Sequence, residues 1–201
     1  MMGDNDNTGG NNTGDNIGDL SVEDRAFRDA LGRFASGVTI VTTVLDGVDH
    51  AMTASAFTSV SLEPRLVLVC SQKTNRFHQA VETSRFWAVS ILADSGQYAA
   101  TKLARKNREL SGQLDDIPHH RGASGAALID DALAWLECRT TQAHDGGDHA
   151  ILVGEVTAAR VRHDADEPLL YYRSHYGRLI HTDQSEKQSD KQSEKQGEKT
   201  R

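Results

Sequence analysis

Five hydroxyls fall within nine residues of the segment 52–62, MTASAFTSVSL: Thr53, Ser55, Thr58, Ser59 and Ser61. They are interleaved with Ala54, Ala56, Phe57 and Val60. Small side chains let a flat ligand approach the backbone, whose N–H and C=O groups then read its polar edge. Hydroxyls add neutral donors for phosphate oxygens. The same run also suits an edge strand with ordinary Ser and Thr packing. If buried, so many hydroxyls need partners, which moves weight toward a ligand.

Three further segments carry chemistry. Residues 71–76, SQKTNR, sit between an apolar run and a short helical pattern. A helix N-terminus there offers free N–H groups to an anion, and Lys73 and Arg76 add charge-assisted bonds to phosphate. The plainer alternative is a capped surface turn. Residues 144–156, HDGGDHAILVGEV, bring two histidines and two aspartates together. Asp145 to Asp148 read as a turn, so His144 and His149 do not converge, and no third His or Cys is near; metal is disfavoured. His149, at the start of a strand, is the better candidate for a nucleotide contact. His119 and His120 fall in a polar stretch and are expected in solvent. Residues 168–179, PLLYYRSHYGRL, offer aromatics and arginines that stack on nicotinamide or adenine and grip phosphate. An aromatic strand end at a subunit interface is the compatible alternative. No GxSxG elbow marks a serine nucleophile, and neither GxGxxG nor GxxxxGK[ST] occurs.

These segments need a scaffold. Ser21 to Asp24 form a capping-box variant, and Val22, Ala26, Phe27, Ala30, Leu31 and Phe34 come after at helical spacing, with Gly37 as the expected stop. Residues 38–44, VTIVTTV, are β-branched, Asp46-Gly47 is a hairpin signal, and 38–45 should pair antiparallel with 48–55. Strands are expected at 66–70, 86–92, 134–142, 150–159 and 169–173. Short helices are expected at 74–83 and 95–105, the latter capped by Ser95. Residues 106–130 read as a long surface loop, of a length that is usually functional or mobile. About seven strands against three short helices, with hairpins first, predict a mainly β, antiparallel barrel with peripheral helices.

The chain has 201 residues and a formal net charge of −7, so it has no net attraction for nucleic acid. No apolar run reaches the length of a membrane span, and the first 20 residues lack a secretory pattern. Cys70 and Cys138, in strand-like runs, are expected as reduced core thiols of a cytoplasmic protein. Residues 1–20 carry four acids and no base, and 181–201 repeat a four-residue unit such as Ser185-Glu-Lys-Gln. Neither has apolar residues enough to offset the entropy of ordering, so both are expected as disordered tails on a 21–180 domain.

The pattern resembles the short-chain flavin reductases of two-component monooxygenases, which share an FMN-binding split-barrel fold. The likeness runs from about Phe27 to Leu179 on four ordered anchors: FASGVTIVTT, MTASAFTSVSLEPRLVLVC, HDGGDHAILVGEV and PLLYYRSHYGRL. The resemblance implies a homodimer with FMN or FAD near the subunit interface. It implies hydride transfer from nicotinamide C4 of NADH or NADPH to flavin N5, with reduced flavin passed to a partner monooxygenase. Thr53, Ala54 and Ser55 would lie along the isoalloxazine, with Ser59, Val60 and Ser61 continuing past it. Asn75 and Arg76, with Lys73, would match the phosphate-side turn. His149, Arg173 and Tyr176 would match positions near the nicotinamide nucleotide. No side chain is implied as an acid or base. The chain departs from the family's double proline at Pro64-Arg65, and from its usual serine at Asn75. A flavin-binding carrier or sensor of the same fold is the alternative reading.

Overall fold

The computed structural model describes residues 21–163 and 167–180; the two expected tails lie outside them. Helix α1 (Val22–Leu31) is followed by the two-residue strand β1 (Ser36–Gly37) and the hairpin of β2 (Thr39–Leu45) and β3 (Val48–Ala54). Asp46 and Gly47 both take positive φ, 51° and 76°, the paired left-handed geometry that matches strand twist in a two-residue hairpin. Then come β4 (Phe57–Leu62), β5 (Arg65–Gln72), α2 (Arg76–Ser84), β6 (Phe86–Leu92) and α3 (Gln97–Ala104). The chain finishes with β7 (His119–Arg121), β8 (Ala127–Ile129), β9 (Ala132–Gly146), β10 (His149–Val161), β11 (Leu170–Tyr172) and β12 (His175–Gly177).

Seven of these strands form one antiparallel sheet in the order β3-β2-β6-β9-β10-β5-β4. It curls until its two ends approach: Ser71 Oγ on β5 lies 3.6 Å from Met52 Sδ on β3. The expected antiparallel split barrel is what forms. Two large apolar clusters fill it, with a smaller one of Ala88, Ala126 and Leu128 beside them. One gathers Phe77 and Val81 of α2 with Val41, Val69, Trp87 and Leu152. The other gathers Ala99, Ala100 and Leu103 of α3 with Ile40, Leu92 and Ile129. The two helices thus stand over different parts of the core, with a gap between them.

Four local expectations change. Helix α1 stops at Leu31, not near Gly37, because Gly32 caps it and Ser36 and Gly37 pair with Tyr171 and Leu170 instead. Its apolar stripe is not buried: Val22, Phe27, Leu31 and Phe34 are 59% to 80% exposed. Ser95 does not cap α3; a short 3₁₀ turn, Asp94–Gly96, precedes the helix, and the Ser95 hydroxyl donates to Asp131 at 3.2 Å. Residues 106–130 are not all surface loop. The hairpin β7–β8 forms within them, and Leu114, Ile117, Ala127, Leu128 and Ile129 are buried, because the barrel needs apolar filling that this stretch supplies. His119, expected in solvent, is half-buried against it, with Nδ1 2.7 Å from the Ile117 carbonyl oxygen, whereas His120 is exposed. No helix among the described residues is long and apolar enough to cross a membrane.

Candidate active site

The gap between α2 and α3 opens on a cavity of about 890 Å³, within the size range of small-molecule sites. One wall is residues 50–56 of β3 and its exit. A second is the turn from β5 into α2, with Gln72, Thr74, Asn75, Arg76 and Phe77. A third is residues 103–110, the chain leaving α3, and His149 stands at the rim.

Strand β3 is an edge of the sheet, so alternate residues turn their peptide groups away from β2. Asp49 and Ala51 do so: their carbonyls accept hydrogen bonds from Gln113 Nε2 and Arg108 Nη2. Period 2 turns the Thr53 peptide groups the same way, toward the open edge. Its hydroxyl is already committed, donating to the Ala100 carbonyl at 2.7 Å. What Thr53 offers a ligand is therefore backbone, and Ala54, Ser55 and Ala56 keep the approach clear.

Asn75 caps α2: its Oδ1 accepts from Phe77 N at 3.0 Å, and its Nδ2 lies 3.8 Å from Met52 Sδ. Asparagine is among the preferred N-cap residues, and its side chain satisfies one of the free N–H groups of the first turn. Arg76 comes next, at the first helical position, and donates from Nη2 to the Arg108 carbonyl. Arg108 is half-buried. Its Nη1 donates to the Leu103 and Arg105 carbonyls at 2.7 and 2.9 Å, and Nε to Gln113 Oε1 at 3.3 Å. Burial, then the nearby Arg76 charge, pushes the Arg108 pKa down, although a guanidinium keeps its proton at neutral pH. His50 is also held below its usual value, by burial first and by Arg76 second, against a smaller opposing pull from Asp49.

His149 begins β10 directly opposite Gln72 of β5, and its Nδ1 lies 2.8 Å from Asp148 Oδ1. Across the same turn Lys73 donates to Asp145 at 2.9 Å, which holds the Asp145 carboxyl below its ordinary value. Among the described residues no three His, Cys, Asp or Glu side chains gather as a metal ion would require.

Thr53, Ala54, Ser55, Asn75, Arg76 and His149 therefore meet at one cavity, although up to 96 positions separate them in the chain. Lys73 does not line it; its charge is turned to Asp145. Ser59, Val60 and Ser61 lie outside it, on the edge strand β4, with Val60 49% exposed. Arg173 and Tyr176 lie on the β11–β12 hairpin, where Tyr176 packs on Tyr171 at 5.3 Å and against the α3 cluster. Sequence reasoning missed His50, Cys70, Gln72 and the whole 103–110 wall. The signal for that wall was the basic run Arg105-Lys106-Asn107-Arg108, which begins the stretch read as a long loop.

Comparisons with known proteins bear on the family and the fold. Residues 31–179 match the model of the flavin reductase like domain. The reductase subunit HsaB of a flavin-dependent monooxygenase from Mycobacterium tuberculosis is 34% identical over 156 residues, 77% of this chain and 82% of that protein. BorF, the flavin reductase component of a bacterial two-component tryptophan halogenase, is 40% identical at a TM-score of 0.73, covering 79% of this chain and 99% of BorF. The NADH:FAD oxidoreductase SgcE6 of Streptomyces globisporus, solved with NAD and FAD fragments, is 37% identical at a TM-score of 0.74, covering 80% of this chain and 96% of SgcE6.

Proposed function

Because the chain belongs to the flavin reductase like domain family, we propose that it is an NAD(P)H:flavin oxidoreductase supplying reduced flavin to a partner monooxygenase. The observation that carries this reading is the cavity itself. Its wall at residues 53–56 has no side chain larger than threonine beside an open strand edge, and three arginines, Arg76, Arg105 and Arg108, line it as well. A flat ring with a polar edge and a phosphorylated tail fits that division of chemistry.

When bound, flavin and reduced nicotinamide supply the hydride chemistry between them. The protein's residues bind and orient. The Thr53 peptide groups read the ring's polar edge, Ala54 and Ser55 let it lie against the backbone, and Asn75 and Arg76 face its phosphate. His149 meets the nicotinamide nucleotide at the rim. No lining side chain is assigned a proton transfer. Lys73 supports the phosphate side through the turn it pins to Asp145.

The remaining expected contacts fit a homodimer. Ser59, Val60 and Ser61, on an exposed edge, would reach a ligand across a subunit interface, as would Arg173 and Tyr176. The exposed apolar stripe of α1, next to the β11–β12 hairpin through Arg173 N and the Gly32 carbonyl at 3.0 Å, is the surface we assign to the second subunit. Both thiols are free, and we place the protein in the reducing cytoplasm.

The test is NADH and NADPH oxidation at 340 nm with FMN, FAD or riboflavin added in turn, and with none. Turnover that depends on added flavin is expected. No turnover with any pair, from protein that still binds flavin, would leave the carrier or sensor reading.

A further inference from the structure

Every second residue of β3 turns its peptide groups to the open edge, so the strand repeats the same acceptor at Asp49, Ala51 and Thr53, about 7 Å apart. A flat ligand that pairs with such an edge meets equivalent registers two residues apart, and only the hydrogen bonds left open tell them apart. Two of these three carbonyls are taken. Gln113 Nε2 donates to Asp49 and Arg108 Nη2 to Ala51; among the described residues no side chain donates to the third, at Thr53. Both blocking side chains are held in place. Gln113 is 4% exposed, between Gly112 at φ 66° and the buried Leu114. Its Oε1 accepts from Arg108 Nε at 3.3 Å, so the amide that fills Asp49 also aims the guanidinium at Ala51. The Leu103 and Arg105 carbonyls hold that guanidinium from the other side, at 2.7 and 2.9 Å. The Asp49 carboxylate is tied to Arg121 of β7, which fixes the strand beside the pair.

We propose that Gln113 and Arg108 are positioning residues that set the register of the bound ring, a role that rests on the flavin reductase reading for the identity of that ring. By filling the edge at Asp49 and Ala51 they leave Thr53 as the one place where the ring's polar edge pairs with β3. The role is one of occupancy and does not depend on charge. A ring one register away lies about 7 Å from its productive place, whereas a misplacement of about 1 Å already slows a transfer between bound reactants.

Riboflavin is the probe, because it carries the ring without a phosphate. Kd is read on the full-length protein by flavin fluorescence, and kcat and KM by oxidation of NADH or NADPH at 340 nm. Arg108→Ala opens the Ala51 carbonyl. With two registers of equal worth, one of them unproductive, kcat, KM and Kd should all fall about twofold while kcat/KM holds. Adding Gln113→Ala opens Asp49 as well and should extend the fall to about threefold. Arg108→Lys, which keeps a donor for Ala51, should return toward the wild type. Arg108→Gln, too short to span to Ala51, stands in if Arg108→Ala does not fold. With saturating FMN, whose tail is anchored, kcat should fall less than with riboflavin. A merely structural loss raises KM and Kd instead. Constants left unchanged, KM and Kd raised, or kcat lowered without a matching fall in Kd would each overturn the register role. Protein that binds riboflavin but oxidises no reductant sinks the reductase reading, and the Kd shift alone then decides the register. Wild-type protein that binds no flavin overturns both.

Discussion

Gly154 on β10 faces the indole of Trp87 on β6, and a Cβ at position 154 would press into that ring and come within 3.0 Å of the Cys138 Cβ. Trp87 has nowhere to retreat: it is fully buried, and its Nε1 donates to Thr140 Oγ1 at 3.1 Å. Gly154→Ala is therefore expected to destabilise the fold by about 1–3 kcal/mol, as overpacking does. A lower urea midpoint at an unchanged slope would show it, and wild-type stability would mean that β10 shifts freely.

His149 stands opposite Gln72 at the cavity rim. His149→Ala is expected to raise the KM for the reduced nicotinamide nucleotide or slow hydride transfer by about tenfold, the scale of one charged hydrogen bond. Stopped-flow flavin bleaching separates the two effects. Kinetics unchanged on both counts would remove His149 from the site.

The two cysteines differ in reactivity. Burial pushes the Cys138 thiol up to about 12, so it holds almost no thiolate at neutral pH. Cys70 is half-buried and lines the cavity. A thiol reagent should modify one cysteine per native chain, and saturating FMN should slow it. Peptide mapping that found Cys138 labelled first would contradict the packing.

Glu137 is 5% exposed and accepts from Ala123 N, Ser124 N and Ser124 Oγ at 3.2, 2.8 and 2.8 Å. Burial alone would raise its pKa; those bonds, aided by the Arg160 charge, outweigh it and leave the carboxyl below its ordinary value. A lowered folded value means stability that is complete above the unfolded value and is lost as pH falls through the folded one. Glu137→Gln should cost stability at about pH 7 and flatten this part of the acid limb. Denaturation midpoints taken across the acid range check it, and parallel curves for the two proteins would refute the assignment.

Phe27 is 64% exposed on the apolar stripe of α1. If that stripe covers a second subunit, light scattering should give twice the 21.9 kDa chain mass, and Phe27→Asp should give monomer with a raised flavin KM. A wild-type monomer with full activity would exclude the cross-subunit contacts of Ser59, Val60, Ser61, Arg173 and Tyr176.

Local chemistry in the sequence settled much of the scaffold. The β-branched run before Asp46-Gly47 could only form a tight hairpin, and Ser21 could only cap a helix beginning at Val22, because both signals act within a few residues. The strand 86–92 was legible for the same reason, and so was the hydroxyl-rich run 52–62 as a candidate wall, of which residues 52–56 line the cavity. Period and side-chain size decide strand and surface without distant partners. The tertiary structure alone decided which candidates meet. Lys73 and Arg76 are three residues apart, yet one is turned to Asp145 across the β9–β10 turn and the other faces the cavity. Arg108 is 32 residues from Arg76 and completes the same wall, because α3 packs on β3 and delivers its exit beside the open edge at Ala51. Which carbonyls an edge strand leaves unpaired depends on sheet order, and which charges stay unneutralised depends on partners brought from elsewhere. Neither is written in any local pattern.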